Sequence, residues 1–546
     1  MRFNTTVSCV ITGVIFCHSL STQAAVNIYP NSFGASERYL DKKNQTAQIK
    51  RRMSVPDELK EERKGSPKYK GHQAPAAYDP LARPAKHDTG KYKNDPVYPD
   101  TPYDVDAELK IYGGKREVVA PRPIIELGFP QYREGIFGTG HNLVGEKNLV
   151  RPQFLLYGDW RSAVAFNDNG AKEAGQVASR LNLEADLKIT ATERLHAAFQ
   201  PFSKGGDFSR YEFFGDDRKQ GDLVLDGNID SFFFEGDVGA IQSGLSDEYT
   251  SYDLPIAFGF MPLFYQNGIW VEDAFTGGAV SLAAQNSPTF DISNYDITAF
   301  FGVDKVSNAG LLDSDGKLAD HAGNILGIVA FADMLEAHIE TGLGYIDDTR
   351  DEPNGGFGHA NFVFGITKRY RGTISNSTRI IWNFGQKPSN GAAQTADGVV
   401  LLFENSLVTS KPSFLVPYLN LFAGFDRPQP LARGNTGILK NTGINFETDA
   451  LTGFPKLDDT ARDAWGGALG ISYLFDLSRQ IVAEVSTVQP MSNISVASGD
   501  QYAVGLRYQQ NLFGRDKWLM RIDGMLGFLE NDDDISGMRF EVRRKF

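Results

Sequence analysis

Arg180, Glu184, Asp186 and Lys188 fall on alternate residues of one stretch, with Leu181, Leu183, Ala185 and Leu187 between them. Side chains two apart share a face of an extended chain, so this stretch has one charged face and one apolar face. Charges on a wall that water reaches sort ions by their local field. The same charges can pair across neighbouring strands and stiffen the wall, and both uses remain open. Alternation assigns the same inward face to Asp159, Arg161, Glu235, Asp237, His338, Glu340, Arg379, Glu484, Arg507, Arg521, Asp523, Arg539, Glu541 and Arg543. Both signs occur, so a track of a single sign is not expected. His338 and Glu340 have metal-ligand side chains two residues apart, but two polar positions on a wet wall explain them more simply. No metal and no cofactor is expected.

Catalytic signatures are missing. No Gly-x-Ser-x-Gly, His-Glu-x-x-His or Walker sequence occurs, and the eight histidines are scattered. Gly138-Thr139-Gly140 lacks a third glycine at dinucleotide spacing and reads as a turn. The only cysteines are Cys9 and Cys17, which leaves the rest of the chain without a disulfide, a thiolate metal site or a cysteine nucleophile. An enzyme is not expected. The net charge of −13 gives no reason to expect nucleic acid as a partner.

The elements that position these charges are strands. Period-two segments recur near 152–166, 176–190, 193–203, 228–239, 255–262, 276–284, 294–304, 323–333, 336–346, 358–370, 373–385, 397–408, 414–426, 464–476, 479–489, 500–513, 516–529 and 535–546. Their lengths suit tilted strands crossing a bilayer. The links alternate: one set is short, as at Ala191-Thr192, Leu335 and Arg371-Gly372, with Ala240–Pro255 longer. The other set is mostly long, as at 204–227, 263–275, 305–322 and 427–463. A soluble sandwich has no cause to produce that asymmetry, whereas a transmembrane barrel with turns on one side and loops on the other does. The fold expected is all-β: a transmembrane antiparallel barrel of about eighteen strands (16–20) over 152–546. Loop 427–463 is the longest, and its Ile438, Phe446, Leu451 and Phe454 suggest that it folds back as a constriction.

Upstream of the barrel, Arg2 and the apolar run Val7–Phe16 followed by Ser21–Ala25 predict a signal peptide over 1–25. Residues 26–110 read as a disordered basic periplasmic segment. Within it, 38–93 carries net +8 and leaves −21 for 94–546. That contrast makes a solvated linker or a dock for a periplasmic partner the two uses of the segment. Residues 111–151 form a transition or entrance segment, with Pro123–Leu127 a candidate strand.

The last strand places Met538, Phe540, Val542 and Phe546 on one face and Arg539, Glu541, Arg543 and Lys545 on the other. It resembles the C-terminal signature of outer-membrane barrels, with Phe540, Val542 and Phe546 as the membrane-insertion signal. Arg544 departs from that pattern. The resemblance implies handling by the barrel-insertion machinery. The architecture is similar to large porins and, in strand count, to alginate-export-like barrels. This implies a cell outer-membrane location, contact with lipid and lipopolysaccharide, and passive passage of a polar solute or polysaccharide, with weak cation preference from the acidic body. The alternative is a barrel that transports nothing and serves as a receptor or as a sleeve for a periplasmic partner.

Overall fold

The computed structural model describes residues 121–129 and 139–546, apart from short stretches at 205–206, 216–220, 313–317, 352–353, 413, 435–436, 441, 448–450, 477, 493–496 and 515–516. The expected signal peptide and basic segment lie outside the described residues.

Eighteen antiparallel strands close on themselves. In chain order they are β1 (Gln153–Asp168), β2 (Glu173–Lys188), β3 in two pieces (Arg194–Phe199 and Asp207–Gly215), β4 (Ile229–Asp237), β5 (Pro255–Tyr265) and β6 (Val271–Ser287). β7 (Ile292–Asp304), β8 (Gly323–Met334), β9 (Ala337–Asp348), β10 (His359–Tyr370), β11 (Ile374–Phe384) and β12 (Val399–Leu407) follow. The ring is completed by β13 (Leu415–Phe425), β14 (Ala464–Asp476), β15 (Arg479–Pro490), β16 (Gln501–Asn511), β17 (Trp518–Leu529) and β18 (Ile535–Lys545). β18 pairs with β1 from Asp159↔Lys545 to Asp168↔Ser536, which closes the barrel and leaves no free edge along that span. Where the chain ends at Phe546, the short strand Ile125–Gly128 takes over and pairs with Gln153–Leu156 of β1. The candidate strand of the transition segment therefore extends the seam.

Alternation sorts the two faces. Inward residues of β2 from Gln176 to Asp186 are buried, and Leu181, Leu183 and Leu187 face out. The outer face exposes a belt of large apolar groups, including Trp160, Phe166, Leu326, Trp382, Trp465 and Tyr502. A continuous apolar belt of this size is costly in water and favourable in a bilayer. Phe540 lies on that belt, and the Arg544 guanidinium stacks over Trp518 at 5.5 Å. No helix among the described residues is long and apolar enough to cross a membrane.

The links on one rim are tight. Leu335 and Glu336 both take positive φ (55° and 56°), the geometry of a two-residue hairpin turn. The link on this rim expected to be longer holds a helix, α1 (Val238–Ser246), capped by Asp237, whose Oδ1 accepts the Ala240 N–H at 2.7 Å. The opposite rim carries the long links, with two departures from expectation. Asp207–Gly215 is strand rather than loop, displaced by an irregularity after Phe199 that breaks the alternation. Positions 263–265 and 271–275 are also strand, because the β5–β6 hairpin runs on until Tyr265 pairs with Val271.

Candidate functional site

The lumen is the site, and its wall has two unlike arcs. The charged arc runs β15, β16, β17, β18, β1, β2, β3, β4 across the seam. Here the strict period two of the sequence brings inward charges side by side on neighbouring strands, where opposite signs meet. Arg543 binds Asp159 through two contacts of 2.8 Å, and Arg161 binds Glu541 at 2.7 and 2.9 Å, both in fork geometry. Asp523 accepts from Arg507 (2.7 Å), Arg521 (2.7 Å) and Arg539 (2.7 Å). Asp186 accepts from Tyr157 at 2.7 Å and contacts His196 Nδ1 at 2.8 Å, with Glu184 3.9 Å from the other ring nitrogen. Arg180 donates to Asn182 at 2.8 Å and lies over the Phe208 ring. Glu235 pairs with Arg194.

Of the other residues predicted for the lumen, Arg379, His338 and Glu340 lie outside this arc, and Lys188 and Asp237 stand at the turn-rim ends of its strands. Arg379, on β11, binds Glu404 and donates to Gln266 at 2.8 Å. His338 and Glu340 of β9 lie 3.3 Å apart near the turn rim, with Asp333 2.9 Å from the other ring nitrogen. Lys188 ends β2 at the same rim, and Asp237 is engaged in capping α1. Among the described residues no group of three or more His, Cys, Asp or Glu is placed to hold a metal ion.

Two segments from the loop rim fold into the lumen. The first is 427–463. Its Leu431, Ile438, Leu439, Phe446, Leu451 and Leu457 are buried, so the apolar residues that suggested folding back do so. The charged arc holds its backbone. Glu484 accepts the Ile444 and Asn445 N–H groups, each at 2.9 Å, and satisfies the start of a short 3-10 turn. Asn167 and Gln176 donate to the Thr452 carbonyl at 2.7 and 2.6 Å. Phe454 packs under Arg539 at 5.2 Å. Glu447 reaches Arg507 at 2.6 Å and Arg521 at 2.7 Å. Burial pushes the Glu447 carboxyl up, but Arg521, Arg507 and Arg539 outweigh it and hold the group down at about 2.

The second inserted segment is the end of the β5–β6 hairpin, and it meets the apolar arc of β5 to β10. Val271–Phe275 are buried on both faces, and Trp270 is fully buried with its indole N–H on Asn361 at 2.9 Å. Inward glycines make the room. A Cβ at Gly342 would stand 2.6 Å from the Trp270 ring, and one at Gly344 2.2 Å from Leu431. The two segments touch: Val271 and Glu272 pair in parallel with Ala432 and Arg433. Glu272 binds Lys440 at 2.8 Å and Arg433 at 3.0 Å. The sequence reading missed Glu272 and Trp270, because a stretch buried on both faces has no alternation to show. Wall burial records the filling. Arg539 keeps 1% exposure beside Phe454 of loop 427–463, whereas His338 at the turn rim keeps 43% of its side chain.

No family model matches the sequence, and no curated protein matches it. Among solved structures, the chain is similar to OccK1 (OpdK) of Pseudomonas aeruginosa, with 10% identity, TM-score 0.49, 72% of this chain and 98% of that chain covered. A second structure of OpdK, with vanillate, gives the same values. OccK3 (OpdO) of the same organism gives 8% identity, TM-score 0.45, and 72% and 95% coverage.

Proposed function

We propose that the chain is a passive channel of the cell outer membrane for a small polar solute, narrowed by the segments 263–275 and 427–463. The observation that carries this is a closed barrel with an apolar outer belt whose inner wall is lined by charges rather than packed solely with hydrophobic side chains. Polar residues facing a lumen and apolar residues facing lipid divide a transmembrane barrel in this way. The arginines and carboxylates of the charged arc answer one another nearly in pairs, so their field discriminates weakly between ions, with the net acidic body tilting the preference toward cations. Turns then face the periplasm and loops face out. No reacting group is needed for this activity, and the ion-paired side chains of the wall are committed to structure.

Swelling of liposomes containing the purified chain tests the reading. Swelling in small sugars and amino acids that stops as the solute grows supports a narrowed channel. Liposomes that stay shut to every solute refute it. The competing reading, a sleeve that transports nothing, draws on how little of Arg539 is left exposed beside loop 427–463. It predicts that second result.

A further inference from the structure

Glu272 binds both parts of the lumenal constriction to each other. It lies on the inserted end of the β5–β6 hairpin. Its carboxylate accepts from Lys440 Nζ at 2.8 and 2.9 Å, and from Arg433 Nε and Nη2 at 3.2 and 3.0 Å. The Glu272, Arg433 and Lys440 side chains are 1–2% exposed, so no water replaces these partners. The backbone link to the hairpin beside them is slight: a two-residue parallel pairing plus Leu431 and Ala432 N–H to Trp270 O at 2.8 and 3.4 Å. A ladder this short is marginal alone. Removing the carboxylate would leave two buried cations facing each other, which costs far more than the lost hydrogen bonds.

We propose that Glu272 is the positioning residue of the constriction: by neutralising Arg433 and Lys440 it locks loop 427–463 onto the β5–β6 hairpin, and so fixes the width of the passage. This rests on the channel reading above. The requirement is charge balance, not any single bond. Loss of Lys440 alone leaves a balanced Glu272–Arg433 pair and is tolerated. Replacing all three groups by apolar side chains of similar volume also keeps the lock.

The test uses the full chain with Cys9 and Cys17 changed to serine and Ile438→Cys as reporter, since Ile438 is 1% exposed beside the cluster. A charged, membrane-impermeant maleimide is the probe, and heat-modifiable migration confirms a folded barrel. Glu272→Gln is expected to raise the labelling rate on the order of a hundredfold, the scale of an uncompensated buried charge. Lys440→Met and the triple variant Glu272→Met/Arg433→Leu/Lys440→Met are expected to stay within about threefold of the parent. If Glu272→Gln does not insert, Glu272→Asp, too short to hold both cations, is expected to give an intermediate rise. Unchanged labelling in Glu272→Gln, or in Glu272→Asp where that variant replaces it, overturns the proposal. So does a triple variant that labels as fast as the variant altered at Glu272 alone. Ion current recorded on the same proteins separates the two readings: if none conducts, the channel reading fails, while labelling still decides the role of Glu272.

Discussion

The two arcs of the lumen hold their inserted segments by different physics. On the charged arc, side chains reach in: Glu484, Asn167 and Gln176 bind backbone groups of loop 427–463, and Arg507 and Arg521 bind Glu447. On the apolar arc the wall withdraws instead. Gly342 and Gly344 leave space that Trp270 and Leu431 fill from the inserted segments. One side is specified by hydrogen-bond partners and charge, the other by shape. The difference predicts opposite sensitivities: the charged arc should tolerate changes of volume and fail on changes of charge, and the apolar arc should do the reverse.

The sharpest way to break that contrast is Asp523→Asn, which leaves volume unchanged while three arginines lose their shared carboxylate. It is expected to destabilise the folded barrel by about 3–5 kcal/mol, read as a lower midpoint in urea unfolding from lipid. A shift of less than a third of that would show that the arginines find other partners. Next is Gly342→Leu, which changes no charge but drives atoms into the space of the Trp270 ring. An overpacking cost of about 1–3 kcal/mol is expected, with Trp270 emission shifting to the red as the hairpin end is displaced. Emission identical to that of the parent, judged against a Trp270→Phe control, would mean that the glycine is not what makes room.

The smallest effect concerns pH. Burial pushes the Lys440 ammonium down to about 8, Glu272 opposes that shift, and Arg433 and Lys456 add to it. A lysine whose folded pKa lies below its free value of 10.5 makes the seated loop more stable as pH rises from about 8 toward that value, because the unseated state binds more protons there. Labelling of the thiol introduced at Ile438 should therefore slow severalfold between pH 8 and 10, after correction against an exposed control thiol. Faster labelling at high pH would reverse the sign and show that the ammonium is needed for the lock.

How much of this was legible in the sequence follows the same division. The charged arc could be read because a polar wall facing an apolar belt stamps a period of two on the chain: Arg180 to Lys188 and Arg539 to Arg543 were placed by that alone. The bounds of most strands followed, as did the folding back of loop 427–463, whose apolar residues have no role in a solvated loop. The apolar arc was hidden for two reasons. Val271–Phe275 are buried on both faces, so nothing alternates, and a glycine has no side chain with which to mark the face it vacates. Strand β3 was read as a single short strand because its irregularity shifts the register midway. Helix α1 was hidden because its cap, Asp237, also fits the alternation of β4.

The barrel is proposed as a polar passage narrowed by inserted loops. Single-channel current through planar bilayers, compared between the full chain and a variant with residues 435–460 replaced by a short Gly-Ser linker, tests it most directly. The full chain is expected to show a small, ohmic conductance with weak cation preference, and the variant a severalfold larger conductance that passes larger polymers. No current from either protein, or equal conductance from both, would contradict it.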